Sequence, residues 1–227
     1  MIPLKDDNPI SSRPIVTYFL IGMCVVVFLM QLGSQSYRTG QLFYSYGLIP
    51  SVLMGHDQLP IDLYAVPAYL TIFSSMFMHG GWIHLIGNMW YMKIFADNIE
   101  DNLGSRNFII FYILCGIGAA MAQVLMDTHS QVPMVGASGA IGGVLGAYLI
   151  NHPNARVLVL IPYIIITIIK IRALYVLGFW FILQFISSGG GVAYAAHIGG
   201  FVSGMILILF FNKKTKRKSK VVKGPWS

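Results

Sequence analysis

Apolar residues along this chain gather into long, nearly unbroken blocks, not into the one-sided or alternating patterns of water-facing helices and strands. Six blocks are predicted to cross a membrane as helices: 15–33, 82–98, 107–126, 138–150, 173–187 and 193–211. A crossing helix takes about 20 residues, so the fourth and fifth blocks are short for the task. A further apolar stretch, 157–169, is shorter again. It contains Pro162, is rich in isoleucine and is flanked by Arg156 and Lys170, which predicts an interfacial loop. The first block is longer than a signal-peptide core, and no A-x-A cleavage pattern follows it, so it reads as a span.

Composition strengthens the membrane reading. Of 227 residues, 56% are hydrophobic and 10% are charged, with a mean hydropathy of +0.70. Soluble domains carry about 25% charged residues. The net charge of +7 is concentrated, with seven of the fifteen Lys and Arg residues lying in 213–223. That run reads as a cytoplasmic stop after the last span, not as a nucleic-acid site. Cys24 and Cys115 fall inside apolar blocks, where a thiol behaves as a small core residue.

The remaining charges set an orientation. Lys5 and Arg13 precede the first span, Arg106 separates the second from the third, and Arg156, Lys170 and Arg172 separate the fourth from the fifth. Loops on the other side hold Arg38 and no other Lys or Arg. With the basic tail, this places both termini in the cytoplasm on an even number of spans, and a seventh span at 157–169 would break the pattern. The expected organisation is a cytoplasmic N-terminus (1–14), a six-span membrane domain (15–211) and a basic cytoplasmic tail (212–227). The fold class is an all-α integral membrane bundle of six helices with a long first external loop, 34–78. That loop holds Pro50, Pro60 and Pro67 and apolar pieces suited to the interface. A bacterial inner membrane suits the compact form and the charge pattern.

Polar groups at membrane depth are functional candidates, because lipid penalises them unless they are satisfied. Ser138 lies between glycines in Gly136-Ala-Ser-Gly139, at the outer end of the fourth block. His197 lies among small residues in Ala195-Ala-His-Ile-Gly-Gly200 of the sixth block. A serine with a histidine is the minimum set for a serine nucleophile and its base. Each also has a plainer reading: a helical serine bonding its own backbone, and a satisfied structural histidine. Glycines crowd both blocks: Gly139, Gly142, Gly143 and Gly146 in one, and Gly200 and Gly204 in the other. Small residues let helices approach closely in lipid, so these two spans are expected to pack backbone to backbone and bring the side chains together.

The acidic residues all lie in loops or at span ends, which favours a Ser–His dyad over a triad and leaves orientation of the imidazole to packing or another polar group. His84 and Asn88 are four apart and share a helix face. With the Ser138 backbone N–H they are candidate oxyanion donors, and alternatively a pair of interhelical hydrogen bonds. His79, His84 and His197 invite a zinc reading, but there is no His-Glu-x-x-His and no carboxylate at matching depth. Lys93 can snorkel to the cytoplasm. Glu100 and Asp101, near Arg106, read as structural charge pairing. His56, His129 and His152 read as loop residues.

Four segments together resemble the rhomboid intramembrane serine proteases in their six-span prokaryotic form. They are Met78-His-Gly-Gly-Trp-Ile-His-Leu-Ile-Gly-Asn88, Phe95-Ala-Asp-Asn-Ile-Glu-Asp-Asn-Leu-Gly104, Val135-Gly-Ala-Ser-Gly-Ala-Ile141 and Ala196-His-Ile-Gly-Gly-Phe-Val-Ser-Gly204. The resemblance covers about residues 70–211. It implies Ser138 as nucleophile, His197 as base, and His84, Asn88 and the Ser138 N–H as oxyanion donors. It also implies a site sunk below the membrane surface and open to the outside. The loop 187–192 would then cap the site, and the fifth span would act as a lateral gate. Substrates would be single-span membrane proteins whose helices unwind near small residues. No metal, cofactor or nucleic-acid partner is implied.

Two departures stand out. Leu70-Thr71 lies where the family often has Trp-Arg. Gly142 occupies the position of an aromatic that often stacks on the histidine. Two other function classes fit the pattern less well. One is a non-catalytic membrane protein that binds client helices on the same scaffold. The other is a proton-coupled transporter using His84 and His197.

Overall fold

Backbone polar groups in lipid must be satisfied within their own segment, which drives apolar blocks into helices. The computed structural model describes residues 1–35, 40–162, 166–186 and 193–211. A helix occupies each predicted block. Strand β1 (Ile2–Asp6) leads into α1 (Ile15–Gly33). Two short helices follow, α2 (Gln41–Tyr46) and α3 (Pro50–Leu53). Then comes α4 (Thr71–Ser74), extended at both ends by 3₁₀ turns Ala68–Leu70 and Ser75–Phe77. Next are α5 (Trp82–Leu103), α6 (Ser105–Met126) and α7 (Ser138–Asn151). A hairpin of β2 (Arg156–Pro162) and β3 (Ile166–Arg172) precedes α8 (Ala173–Ile186) and α9 (Tyr194–Phe211).

Helices α1, α6 and α9 are long and apolar enough to cross a membrane, while α7 and α8 are shorter apolar helices. Helix α5 has the length, at 22 residues, but its second half carries Lys93, Asp97, Glu100 and Asp101. The protein is thus a mostly helical, multi-pass membrane protein.

The stretch 157–169 departs from the expected interfacial loop, and the fold from an all-α bundle. Three antiparallel strands pair in the order β1-β2-β3, with Pro3 opposite Val159 and Arg156 opposite Arg172. The physical reason is β-branching, since valine and isoleucine fit a half-buried pleated surface. Val157 and Val159 are fully buried on the inner face, while Arg156, Lys170 and Arg172 are exposed. The N-terminal segment is therefore not a loose tail. Its first strand closes the sheet, and the Trp90 indole donates to the Pro3 carbonyl at 2.6 Å.

Glu100 and Asp101 also differ from expectation. Helix α1 has Pro14 at its N-cap and no side-chain cap of its own. The first N–H groups of a helix lack intrahelical partners. Buried Glu100 supplies the acceptor in trans, receiving Val16 N–H at 2.9 Å, Thr17 N–H at 2.7 Å and the Thr17 hydroxyl at 2.8 Å. The Ser105 hydroxyl adds a bond of 2.5 Å. Asp101 receives the Ser11 and Ser12 backbone N–H groups at 3.1 and 2.8 Å. A carboxylate at a helix N-terminus is also favoured by the helix dipole. These residues join the start of α1 to the end of α5.

The core contact is α7 against α9. A Cβ added at Gly200 would stand 1.9 Å from the Gly139 carbonyl oxygen, and one at Gly204 would stand 1.9 Å from that of Gly143. Only glycine permits this backbone approach. A Cβ added at Gly143 would stand 2.4 Å from Cys115 Sγ of α6 and 3.1 Å from the Gly200 carbonyl oxygen, so α7 packs closely on both α6 and α9. Cys24 and Cys115 are both free and buried.

Candidate active site

Ser138 is the first residue of α7, following a loop tied to its surroundings by backbone links at Ser130, Met134 and Gly136. Gly136 N–H donates to the Ser75 carbonyl at 2.8 Å, and Leu48 bridges Met134. Gly136 has φ +126°, in the region that disfavours a side chain, and a Cβ there would stand 2.7 Å from His84 Nε2. The chain therefore turns into α7 directly beside His84. As the first helical residue, Ser138 has a backbone N–H without an intrahelical acceptor.

The α7–α9 contact brings Ser138 and His197 together. Ser138 Oγ lies 2.8 Å from His197 Nε2. The other ring nitrogen, Nδ1, lies 2.8 Å from Gln184 Oε1 on α8. The Gln184 amide nitrogen donates to the Trp180 carbonyl at 2.8 Å. The Trp180 ring lies over the imidazole, with centroids 5.8 Å apart and planes 33° apart. Tyr194 approaches edge-on at 6.3 Å. Thus the aromatic contact absent at Gly142 comes from a different helix. A Cβ at position 142 would stand 3.0 Å from the His197 carbonyl oxygen.

His84 and Asn88 lie one turn apart near the start of α5 and line the same cavity as Ser138 and His197, a space of about 1120 Å³. Gly80 N–H donates to His84 Nδ1 at 3.4 Å. An accepting Nδ1 leaves the proton on Nε2, the nitrogen that faces Gly136. Asn88 Nδ2 is buried and has no hydrogen-bond acceptor. A buried unpaired donor costs about 1–3 kcal/mol, so one beside a cavity is a candidate ligand contact.

His79 falls behind this pair. Its backbone exchanges two hydrogen bonds with the Gln31 amide of α1, at 3.1 and 3.2 Å, and its ring meets that of His84 edge-on at 5.2 Å. Among the described residues, no group of three His, Cys, Asp or Glu is placed to hold a metal. At Leu70-Thr71, the Thr71 hydroxyl bonds the Ala68 carbonyl at 2.5 Å. The three remaining histidines lie in loops, as expected, and each has a partner there. His56 and His129 stack with centroids 4.1 Å apart, and His152 ends α7, within hydrogen-bond reach of Asn8 and Asn102. The capping loop expected at 187–192 and the basic tail lie outside the described residues.

Two residues at the site were not singled out from the sequence. Gln184 is a lone amide in an otherwise apolar helix, the kind of polar group at membrane depth that marks a site, and that signal was readable. Gln123 of α6 accepts the Ala196 N–H at 3.3 Å and lines the cavity, where it steadies the turn of α9 that carries His197.

Comparison with known proteins identifies the family of this chain. A rhomboid domain matches residues 67–214. RHOMBOID-like protein 5 of Arabidopsis thaliana is 32% identical over 138 residues, covering 60% of this chain and 42% of the relative. Rhomboid protease GluP of Bacillus subtilis is 28% identical over 197 residues, covering 86% and 34%. Rhomboid-like protease 3 of Toxoplasma gondii is 25% identical over 143 residues, covering 63% and 52%. The chain spans about half or less of the length of these curated relatives. With a domain match over well more than half of its residues, the chain belongs to the rhomboid family.

Proposed function

We propose that this protein is an intramembrane serine endopeptidase that hydrolyses peptide bonds in transmembrane helices of other membrane proteins. One observation carries the reading: Ser138 Oγ lies 2.8 Å from His197 Nε2 at the wall of a cavity in an otherwise apolar bundle. In the proposed reaction, His197 Nε2 takes the Ser138 proton as Oγ attacks the scissile carbonyl carbon. The carbonyl oxygen becomes an oxyanion, received by His84 Nε2–H, Asn88 Nδ2–H and the Ser138 N–H. Collapse breaks the C–N bond, and the imidazolium returns the proton to the leaving amine. Water, activated by the same imidazole, then releases the acyl group from Oγ. Preorganised donors are the largest single source of acceleration in such sites, and the unpaired Asn88 amide fits that role.

The finer reading has six spans with both termini in the cytoplasm, in an inner membrane. Substrates are single-span proteins that deliver an unwound helix to the cavity from the outer edge of the bilayer. The relatives named as proteases support a proteolytic activity for this chain.

The test is labelling of purified, reconstituted protein by a fluorophosphonate probe. Labelling of wild type, with loss in both Ser138→Ala and His197→Ala, is expected. Absence of labelling in a folded wild-type sample overturns the protease reading in favour of client-helix binding without cleavage.

A further inference from the structure

The imidazole of His197 is held at both nitrogens, and only one of its partners belongs to the dyad. Nδ1 faces Gln184 Oε1 at 2.8 Å. A glutamine amide has one accepting end and one donating end. The donating end is committed, because Gln184 Nε2 gives its hydrogen to the Trp180 carbonyl one turn earlier on α8, also at 2.8 Å. The accepting oxygen must therefore face the imidazole, and a carbonyl oxygen can only receive. This leaves the His197 proton on Nδ1 and the lone pair on Nε2, the nitrogen that meets the Ser138 hydroxyl. Gln184 is buried, so water competes weakly for these bonds. The Trp180 ring, on the same face of α8, lies over the imidazole. One helix turn thus restrains the ring's tilt, its rotation and its tautomer.

We infer that Gln184 is a positioning residue that holds His197 in the Nδ1–H tautomer and aims Nε2 at Ser138, filling with a neutral amide the place a carboxylate takes in a triad. The inference rests on the Ser–His reading above. It has a structural consequence: the orienting group lies on α8, while the base lies on α9. Any displacement of α8 away from α9 breaks the Nδ1 bond and releases the imidazole, so the dyad is competent only while the two helices are docked.

The amide also suits the charge that develops. When Nε2 takes the serine proton, the ring becomes an imidazolium, and the Gln184 carbonyl dipole is already aimed at its Nδ1–H. A dipole fixed in advance stabilises that charge without reorganisation.

The test compares Gln184→Leu, Gln184→Asn and Gln184→Glu in the full-length protein, reconstituted in lipid. The first removes the acceptor. The second shortens the side chain by one methylene and withdraws the acceptor while staying polar. The third keeps an acceptor at Nδ1 and replaces the amide that bonds Trp180 by a carboxyl oxygen, which also brings a charge or an acid proton to this buried position. Two readouts are taken: the second-order rate of fluorophosphonate labelling, and the tautomer of His197 by ¹⁵N-histidine NMR, assigned with His197→Ala. Leu and Asn are expected to lower the labelling rate about 10–100-fold, less than the roughly 10⁴-fold loss when a triad carboxylate is replaced and the base takes the wrong tautomer. The ¹⁵N shifts should move from the Nδ1–H pattern toward a mixture. Glu should stay within a few-fold of wild type.

Wild-type labelling rates and an unchanged tautomer in both Leu and Asn overturn the inference, as does a Glu variant that falls as far as Leu. An unlabelled wild type defeats the hydrolase reading instead, and the tautomer measurement still decides the role of Gln184. If Gln184→Leu does not fold, the Asn and Glu pair carries the same comparison.

Discussion

Substituting Gly200 by alanine tests how the α7–α9 contact builds the site. The added Cβ would lie 1.9 Å from the Gly139 carbonyl oxygen and 2.9 Å from its carbonyl carbon, while ordinary contact begins at 3.4 Å. The obstacle is backbone, so no rotamer change relieves it, and the helices must part by about 1.5 Å at this point. Gly139 directly follows Ser138, and Gly200 lies three residues after His197. Separation there lengthens the Ser138–His197 hydrogen bond from 2.8 Å to roughly 4 Å, beyond hydrogen-bond range. Misplacement by about 1 Å can cost 10²-fold in rate, and overpacking costs about 1–3 kcal/mol of stability. The assay is fluorophosphonate labelling together with thermal unfolding in the same detergent, with Gly22→Ala as control, because a Cβ at Gly22 has nothing within 4 Å. Gly200→Ala is expected to lose about two orders of magnitude in labelling rate and to unfold earlier, while Gly22→Ala does neither. Wild-type rate and stability in Gly200→Ala would refute the argument that this contact sets the geometry of the dyad.

Three further outcomes follow from the structure. Glu100→Ala leaves the half-buried Val16 and buried Thr17 N–H groups without this acceptor, at a cost of about 1–3 kcal/mol, read as a lower midpoint in denaturant titration; Glu100→Gln, which keeps an oxygen but loses the charge, falls between. Asn88→Ala should lower kcat about 10²–10³-fold with little change in KM, as expected for a donor that acts on developing charge, and equal effects on both constants would point to ground-state binding instead. Asp6 has its carboxyl raised above the ordinary range, chiefly by burial, against a lowering by the Tyr148 hydroxyl bond. The folded state then holds the Asp6 proton more tightly than the unfolded chain, so its contribution is fully present below the unfolded carboxyl range and is lost as pH rises through the raised one. Asp6→Asn cannot ionise, and its melting temperature relative to wild type should rise across that window; a constant difference would contradict the assignment.

Much of the site was legible in the primary structure because its chemistry depends on residue type at short spacing. His84 and Asn88 share a face at i, i+4, and Ser138 opens a helix between glycines. The glycines at 139, 143, 200 and 204 announce two helices able to touch. The sheet was hidden for two reasons. Its inner residues Val157 and Val159 alternate with Leu158 and Leu160, so an all-apolar run masks the period of two. Its partner strand, Ile2–Asp6, lies some 150 residues away at the other end of the chain. Glu100 and Asp101 looked like members of charge pairs because local sequence shows Arg106 nearby and does not show the uncapped start of α1.

Sequence alone determined the membrane setting, the helices and the choice of Ser138 and His197 as the candidate pair. These follow from hydropathy over each block and from the scarcity of polar groups within it, both properties of local composition. Tertiary structure alone decided what faces the far side of the imidazole. Gln184 is separated from His197 by thirteen residues and a change of helix, and no periodicity links them. Only the docking of α8 on α9 turns a solitary amide in an apolar helix into the partner of Nδ1, because a hydrogen bond depends on distance and direction in space rather than on order along the chain.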